Sequence, residues 1–276
     1  MQQILVVTSG CTDGTTKIVQ SAQATDNRIV HINEDNRCGK NSAMNLIIRG
    51  AKGSDVVVFL SADVAPSPNS IQRLLSWFSD PAVGAVNATV VANSKTGFSL
   101  VPSIMWKLHN FFHTTMSKTR NLSHLTGEMC AVRSFLLQPV PKSIINDDAF
   151  LAHGVRLKGY GIEIDPNAEV LITAPMNIFD LLKQRTRVNI GHLQMLTAES
   201  TATTVTPSLF KAPGKTLPPL MKFFINLSAK EKVWSVMLVA CELISLTAAY
   251  KAFSRHKIPV VWSVIASTKT VQHTTG

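Results

Sequence analysis

Residues 55–68 read DVVVFLSADVAPSP, and the fold class turns on them. Val56, Val57, Val58 and Phe59 make a run too short for a helix and apolar at every position, which is how a strand buried on both faces of a sheet reads. The run stops at Ser61-Ala62-Asp63, and Pro66 and Pro68 then turn the chain. An acid at the carboxyl end of such a strand stands where open α/β sheets bind their ligands.

Outward from this strand the alternation of strand and helix recurs, the signature of a parallel sheet with crossover helices. Toward the N-terminus, Ile4 to Val7 reads as a buried strand, residues 9 to 14 (SGCTDG) as a turn, and Thr15 to about Ala24 as a helix. Arg28 to Ile32 is a second strand and Lys40 to Lys52 a helix. Toward the C-terminus come a helix over residues 69 to 79, a strand from Val83 to Val91, and a mixed segment with Phe98, Trp106, Phe111 and Phe112. Asn146 reads as the N-cap of a helix with Asp147 and Asp148 in its first turn and Gly159 after its last. A strand pair (Gly161 to Asp165, Glu169 to Thr173) leads to a helix from about Asn177 to Met195 that carries Gln184, Arg185 and Arg187. The Thr-, Ser- and Pro-rich residues 196 to 217 read as a linker.

The 276 residues are 45% apolar, enough for a full core, but only 16% are charged, below the roughly 25% of ordinary soluble domains. The net charge of +10 is uneven: residues 1 to 182 carry +1 and residues 183 to 276 carry +9. That basic tail holds the 18-residue run Val233 to Tyr250, with Glu242 as its one carboxylate. As a helix it is roughly 27 Å long, just short of a bilayer core. Lysines and arginines flank it on both sides, so charge sets no orientation. A carboxylate near the middle of a spanning helix costs on the order of 2.5 to 3.5 kcal/mol, which calls for protonation, a polar partner or a helix lying in the interface. Attachment to membrane lipids is the expectation, with a buried soluble helix as the alternative. The basic excess beside an apolar helix, with no recognition motif, argues against nucleic acid. The stretch Ile4 to Val7 is too short for a signal peptide, which places the bulk of the chain on the cytosolic side of the cell membrane.

Smaller features have bland readings. The four cysteines, without a CxxC pair, read as buried reduced thiols. His109, His113 and His124 fall in one neighbourhood but have no acid or cysteine at ligand spacing, and read as structural or acceptor-side rather than metal-binding. The sequons at Asn87, Asn121 and Asn226 read as chance. Taken singly, Asp63 is a turn former, Asp147-Asp148 a helix start, and Gln184-Arg185-Thr186-Arg187 a solvated face.

In order along the chain these clusters resemble the family 2 glycosyltransferases of the GT-A fold, particularly membrane-bound members. ILVVTSGCTDGTTKIV is similar to the family's strand and Asp-Gly-Ser-Thr-Asp-Gly-Thr loop, and RCGKNSAMNLIIRGAKGSDVVVFLSADVAPSP to its Arg-x-Gly-Lys to Asp-x-Asp segment. INDDAFLAHGVRLKGYGIEIDPNAEV is similar to the Thr-Glu-Asp block, and KQRTRVNIG to the Gln-x-x-Arg-Trp motif. The resemblance implies an α/β GT-A domain with a mostly parallel central sheet over residues 1–195. A linker and interfacial segment (196–232), a membrane helix (233–251) and a basic tail (252–276) follow. It also implies an inverting transfer from a nucleoside-diphosphate sugar to a hydroxyl of a glycan or lipid-linked acceptor. By resemblance Asp148 is the general base, with Asp147 and Ser61 supporting. Asp63 is the contact for Mg²⁺ or Mn²⁺, and Lys40, Asp13, Gln184, Arg185 and Arg187 serve the donor and its diphosphate.

The chain departs from the pattern at four places. Ser61 stands where many relatives have the first acid of Asp-x-Asp, Thr8 and Ser9 where an Asp pair contacts the donor nucleotide, and Val188 where the motif has Trp. Ile4 to Val7 aligns with the family's second strand, so the usual first strand has no counterpart: either the chain is truncated or its sheet closes differently. A catalytically silent membrane-associated scaffold therefore stays open as the alternative. A nucleotidyltransferase is disfavoured because residues 8 to 16 hold no Lys or Arg to cradle a phosphate.

Overall fold

The computed structural model describes residues 3–93, 97–118, 124–197 and 213–255. Strands β1 (Ile4–Ser9) and β2 (Ile29–Glu34), joined through helix α1 (Thr15–Thr25), pair in parallel as a two-stranded sheet. Helix α2 (Lys40–Gly50) packs close to β1, because a Cβ at Gly50 would lie 3.1 Å from a Leu5 methyl. A five-stranded sheet then runs in the order β3 (Val56–Leu60), β6 (Met129–Arg133), β5 (Val83–Ala92), β7 (Gly161–Ile172), β4 (Val64–Pro66). Strands β3, β5 and β7 point the same way, as the alternation of strand and helix predicts. Strands β6 and β4 run against them, which makes this sheet mixed.

Each face of the larger sheet has its own core. On one, Cys130, Val132 and Ile164 pack with Met44 of α2 and with Leu151 and Val155 of α5 (Asp147–Leu157). On the other, Val86, Met129, Ala131 and Val170 pack with Leu74 of α3 (Ser70–Ser76). The segment read as mixed is helix α4 (Leu100–Lys118). Its buried face includes His113 and Ser117, which blur the apolar period a sequence reading relies on. The two strands read after α5 are one, β7, whose register against β5 shifts between Ala88 and Thr89. Cys130 and Cys241 are buried as expected, but Cys11 and Cys38 are exposed, and all four are free. Asn87 is fully buried and bonded to the backbone of His124 and Thr126, so its sequon is chance.

Helix α6 (Ile178–Thr197) is followed by α7 (Pro213–Ile225) and α8 (Ala229–Ser254). The described part of the stretch read as a linker is thus helical, and Phe223 and Leu227 sit in a third core with Val101, Ile104, Leu181 and Leu238. The helix that holds the apolar run is longer than the run itself. It starts at a capping box in which Ser228 and Glu231 bond each other's backbone N–H, and Lys107 of α4 reaches Glu231 at 2.5 Å. Glu242 finds its polar partner inside the protein: Arg185 donates to its Oε1, and Asn189 of α6 donates to Ser245 Oγ at 3.0 Å beside it. One face of α8, through Leu238, Cys241, Ser245 and Ala249, is buried. Val233, Val236, Leu243 and Ile244 are exposed, as are Leu217, Met221 and Ile225 of α7.

Candidate active site

Three of the sequence clusters meet around the start of α5. Lys40, first residue of α2, pairs its Nζ with Asp147 Oδ2 at 2.9 Å. Asp148 Oδ1 accepts the N–H of Ala149 at 2.7 Å, so its carboxylate sits at the positive end of the helix. Asn146 precedes the helix but its side chain makes no cap bond; it donates to the carbonyl of Val188 on α6 at 3.1 Å. The approach is close because position 191 is glycine, where a Cβ would fall 2.3 Å from the Asn146 amide. Helix α6 is thereby drawn against α5, which brings Arg187 to a cavity it lines with Lys40, Lys142, Asn41, Cys38 and Asp147. Lys142 was not singled out in the sequence, since a lone lysine in a loop carries no signal.

The other expected residues are placed differently. Asp13 is exposed, and its carboxylate accepts from the N–H and hydroxyl of Thr15, a local turn that lowers its pKa. A separate groove beside it, at the carboxyl ends of β1 and β2, is lined by Gly10, Cys11, Thr12, Asn33 and Asp35. Gly10 has φ +57° and lies against the backbone of Arg37, where any side chain would clash. Arg185 is engaged with Glu242 of α8 rather than turned to the cavity. Gln184 Oε1 is buried without a partner among the described residues. Ser61 donates its hydroxyl to the Gly127 carbonyl at 2.9 Å, and Asp63 follows it in the turn before β4.

Two further groups of residues belong to the site, and of these Glu128 and His192 escaped the sequence reading. Glu128 stands in a bend before β6. Burial, then the Asp148 carboxylate, push its pKa up to about 7; Lys40 opposes the rise and Asp63 adds to it. Burial also raises the pKa of Asp148, opposed by His124 and assisted by Asp147. Carboxylates so crowded around one ammonium lack positive charge. The second group is a chamber of imidazoles. His109 and His113, one turn apart on α4, have ring centres 3.8 Å apart; His124 lies 5.6 Å from His113, and His192 of α6 lies 6.0 Å from His124. His124 Nε2 is 3.9 Å from Asp148 Oδ2. Burial depresses all four pKa values, that of His109 to about 3. His192 comes from 68 residues further along the chain than His124, so the sequence grouped only the other three. Among the described residues no three His, Cys, Asp or Glu side chains form a ready metal-binding set.

Comparisons with known proteins place the fold and the family. The glycosyltransferase AglD of Haloferax volcanii is 30% identical over 86 residues, which are 30% of this chain and 14% of that protein, so the chain spans only a small part of that relative. Among solved structures, the mannosyltransferase PcManGT from Pyrobaculum calidifontis, in complex with GDP-Man and Mn²⁺, superposes with a TM-score of 0.65 at 21% identity. The superposition covers 92% of this chain and 78% of that one, a likeness of fold. The pattern of Glycosyl transferase family 2 matches residues 2–140, half of the chain. With that match over half of its length and a fold like that of a glycosyltransferase, the chain belongs to glycosyl transferase family 2.

Proposed function

We propose that this glycosyltransferase transfers a sugar from a nucleoside-diphosphate donor to an acceptor hydroxyl with inversion, at a membrane surface. The observation that carries the reading is the cavity where Lys40, Lys142 and Arg187 converge beside Asp147, one residue from Asp148. Three cations at one opening suit a diphosphate. The groove at the ends of β1 and β2 is the place for the nucleoside. Asp148 takes the proton of the acceptor hydroxyl as its oxygen attacks the anomeric carbon. The bond from that carbon to the diphosphate breaks with its electron pair, and a single displacement inverts the centre.

A divalent cation fits the donor set, because Asp63 offers a hard oxygen ligand and the carboxylates around Lys40 outnumber the positive charge. When bound, Mg²⁺ or Mn²⁺ neutralises charge on the departing diphosphate. The reading is tested by calorimetric titration of the detergent-purified chain with UDP, GDP and CDP, with and without Mn²⁺. Metal-dependent binding of one nucleotide is expected, and the absence of binding by folded protein would favour the silent scaffold.

The exposed apolar face of α7 and α8, opposite the face that packs on α4 and α6, suits a lipid interface. Glu242 and its partner Arg185 lie on the protein side of α8, which favours a helix lying in the interface over one leaving the domain to span. In flotation with anionic vesicles the protein is expected to rise with the lipid, and Val236→Glu/Leu243→Glu to abolish this. Flotation unaffected by both charges would refute the docking face. The acceptor is then a glycan or lipid-linked hydroxyl presented at that surface.

A further inference from the structure

In the turn that ends β3, Ser61 leaves Asp63 as the one carboxylate for a cation. Across the sheet the register supplies another. Strands β3 and β6 pair antiparallel with Leu60 opposite Met129, and the next bond, from Ser61 N to the Glu128 carbonyl at 3.0 Å, carries the pairing one step beyond the ladder. Ser61 and Glu128 therefore stand opposite each other, and residues so placed project to the same face. That face is identified by the pair two residues back. Phe59 and Cys130 are opposite each other, and both pack in the core under α2 and α5. Those two helices begin at Lys40 and at Asp147, beside the proposed base.

We propose that Glu128 is the second carboxylate for the divalent cation, replacing across the sheet the acid that Ser61 lacks along the strand. The proposal rests on the donor reading above. Mg²⁺ and Mn²⁺ sites on phosphate substrates use one or two carboxylates with phosphate oxygens and water, so Asp63 and Glu128 complete the protein's share. Ser61 brings no charge to this pair of positions, and its hydroxyl is bonded to the Gly127 carbonyl. An aspartate at 61 facing a glutamate at 128 would set like charges directly opposite, which is destabilising. The two positions therefore need one acid between them.

The test is Mn²⁺ binding by electron paramagnetic resonance on the full chain, alone and with GDP or UDP. Wild type, Glu128→Gln and the swap Ser61→Asp/Glu128→Gln are compared, with circular dichroism and melting as controls of folding. Glu128→Gln is expected to weaken Mn²⁺ binding by about tenfold or more, and the swap to recover most of it. Glu128→Gln that binds Mn²⁺ like wild type overturns the proposal. So does a loss that the folded swap variant fails to recover, because Glu128 then only shapes the site. Wild type that binds no Mn²⁺ with either nucleotide overturns the donor reading itself, a different result.

Discussion

Asp148→Asn is expected to lower turnover by about 10²- to 10⁴-fold, the usual range for loss of a general base, while the Kd for the nucleoside diphosphate changes little. The amide keeps the shape of the carboxylate but cannot take the hydroxyl proton. The split between turnover and binding follows from placement. Lys40 is paired with Asp147, not Asp148, and Arg187 and Lys142 reach the cavity from α6 and from the loop before α5. The diphosphate contacts therefore survive the substitution. Single-turnover rates, with the anomeric configuration of the product read by NMR, check both the base and the inversion. Equal losses of turnover and nucleotide binding in a folded variant would take the role of base away from Asp148.

Acidification is expected to destabilise the metal-free protein through the imidazole chamber. His109, His113, His124 and His192 have folded pKa values depressed first by burial. Below the ordinary histidine value of about 6.5 the unfolded chain takes up protons that the folded chain refuses. Each imidazole then removes about 1.4 kcal/mol of stability per pH unit until its folded pKa is reached. Glu128 and Asp148 act in the opposite sense: their raised folded values let the native state bind protons first, so they add stability as pH falls. Four groups against two leave a net loss of stability between pH 7 and pH 5. Urea denaturation in chelating buffer at the two values measures it. An unchanged midpoint would mean that the imidazoles are already charged or solvated in the native state.

How much was legible in the sequence differs by element. The valine run before Ser61, the loop of residues 9 to 14 and the acids before Ala149 announced themselves because strand burial, turn chemistry and helix starts are local. Helix α4 was missed because it buries His113 and Ser117 where a helix pattern wants apolar side chains. Strand β6 was missed because five residues inserted antiparallel between β3 and β5 carry no alternation with helices. Arg185 is the instructive case. Its family resemblance implied a place at the diphosphate, whereas its guanidinium pairs with Glu242, 57 residues away on α8. The same pair answers why an apolar helix carries an acid in its middle.

The sequence by itself determined the class of the fold, the order of its motifs, the apolar C-terminal helix, and Asp148 at the start of its own helix, because each depends on neighbours a few residues apart. Only the tertiary structure decided which charges face one another. It set Glu128 opposite Ser61, gathered four histidines from three segments beside Asp148, brought Lys142 to Lys40 and Arg187, and turned Glu242 inward. Those outcomes depend on strand register and on the close approach of α6, at its Gly191, to Asn146 before α5. Pairing across a sheet or between helices joins residues far apart in sequence, and no local pattern encodes it.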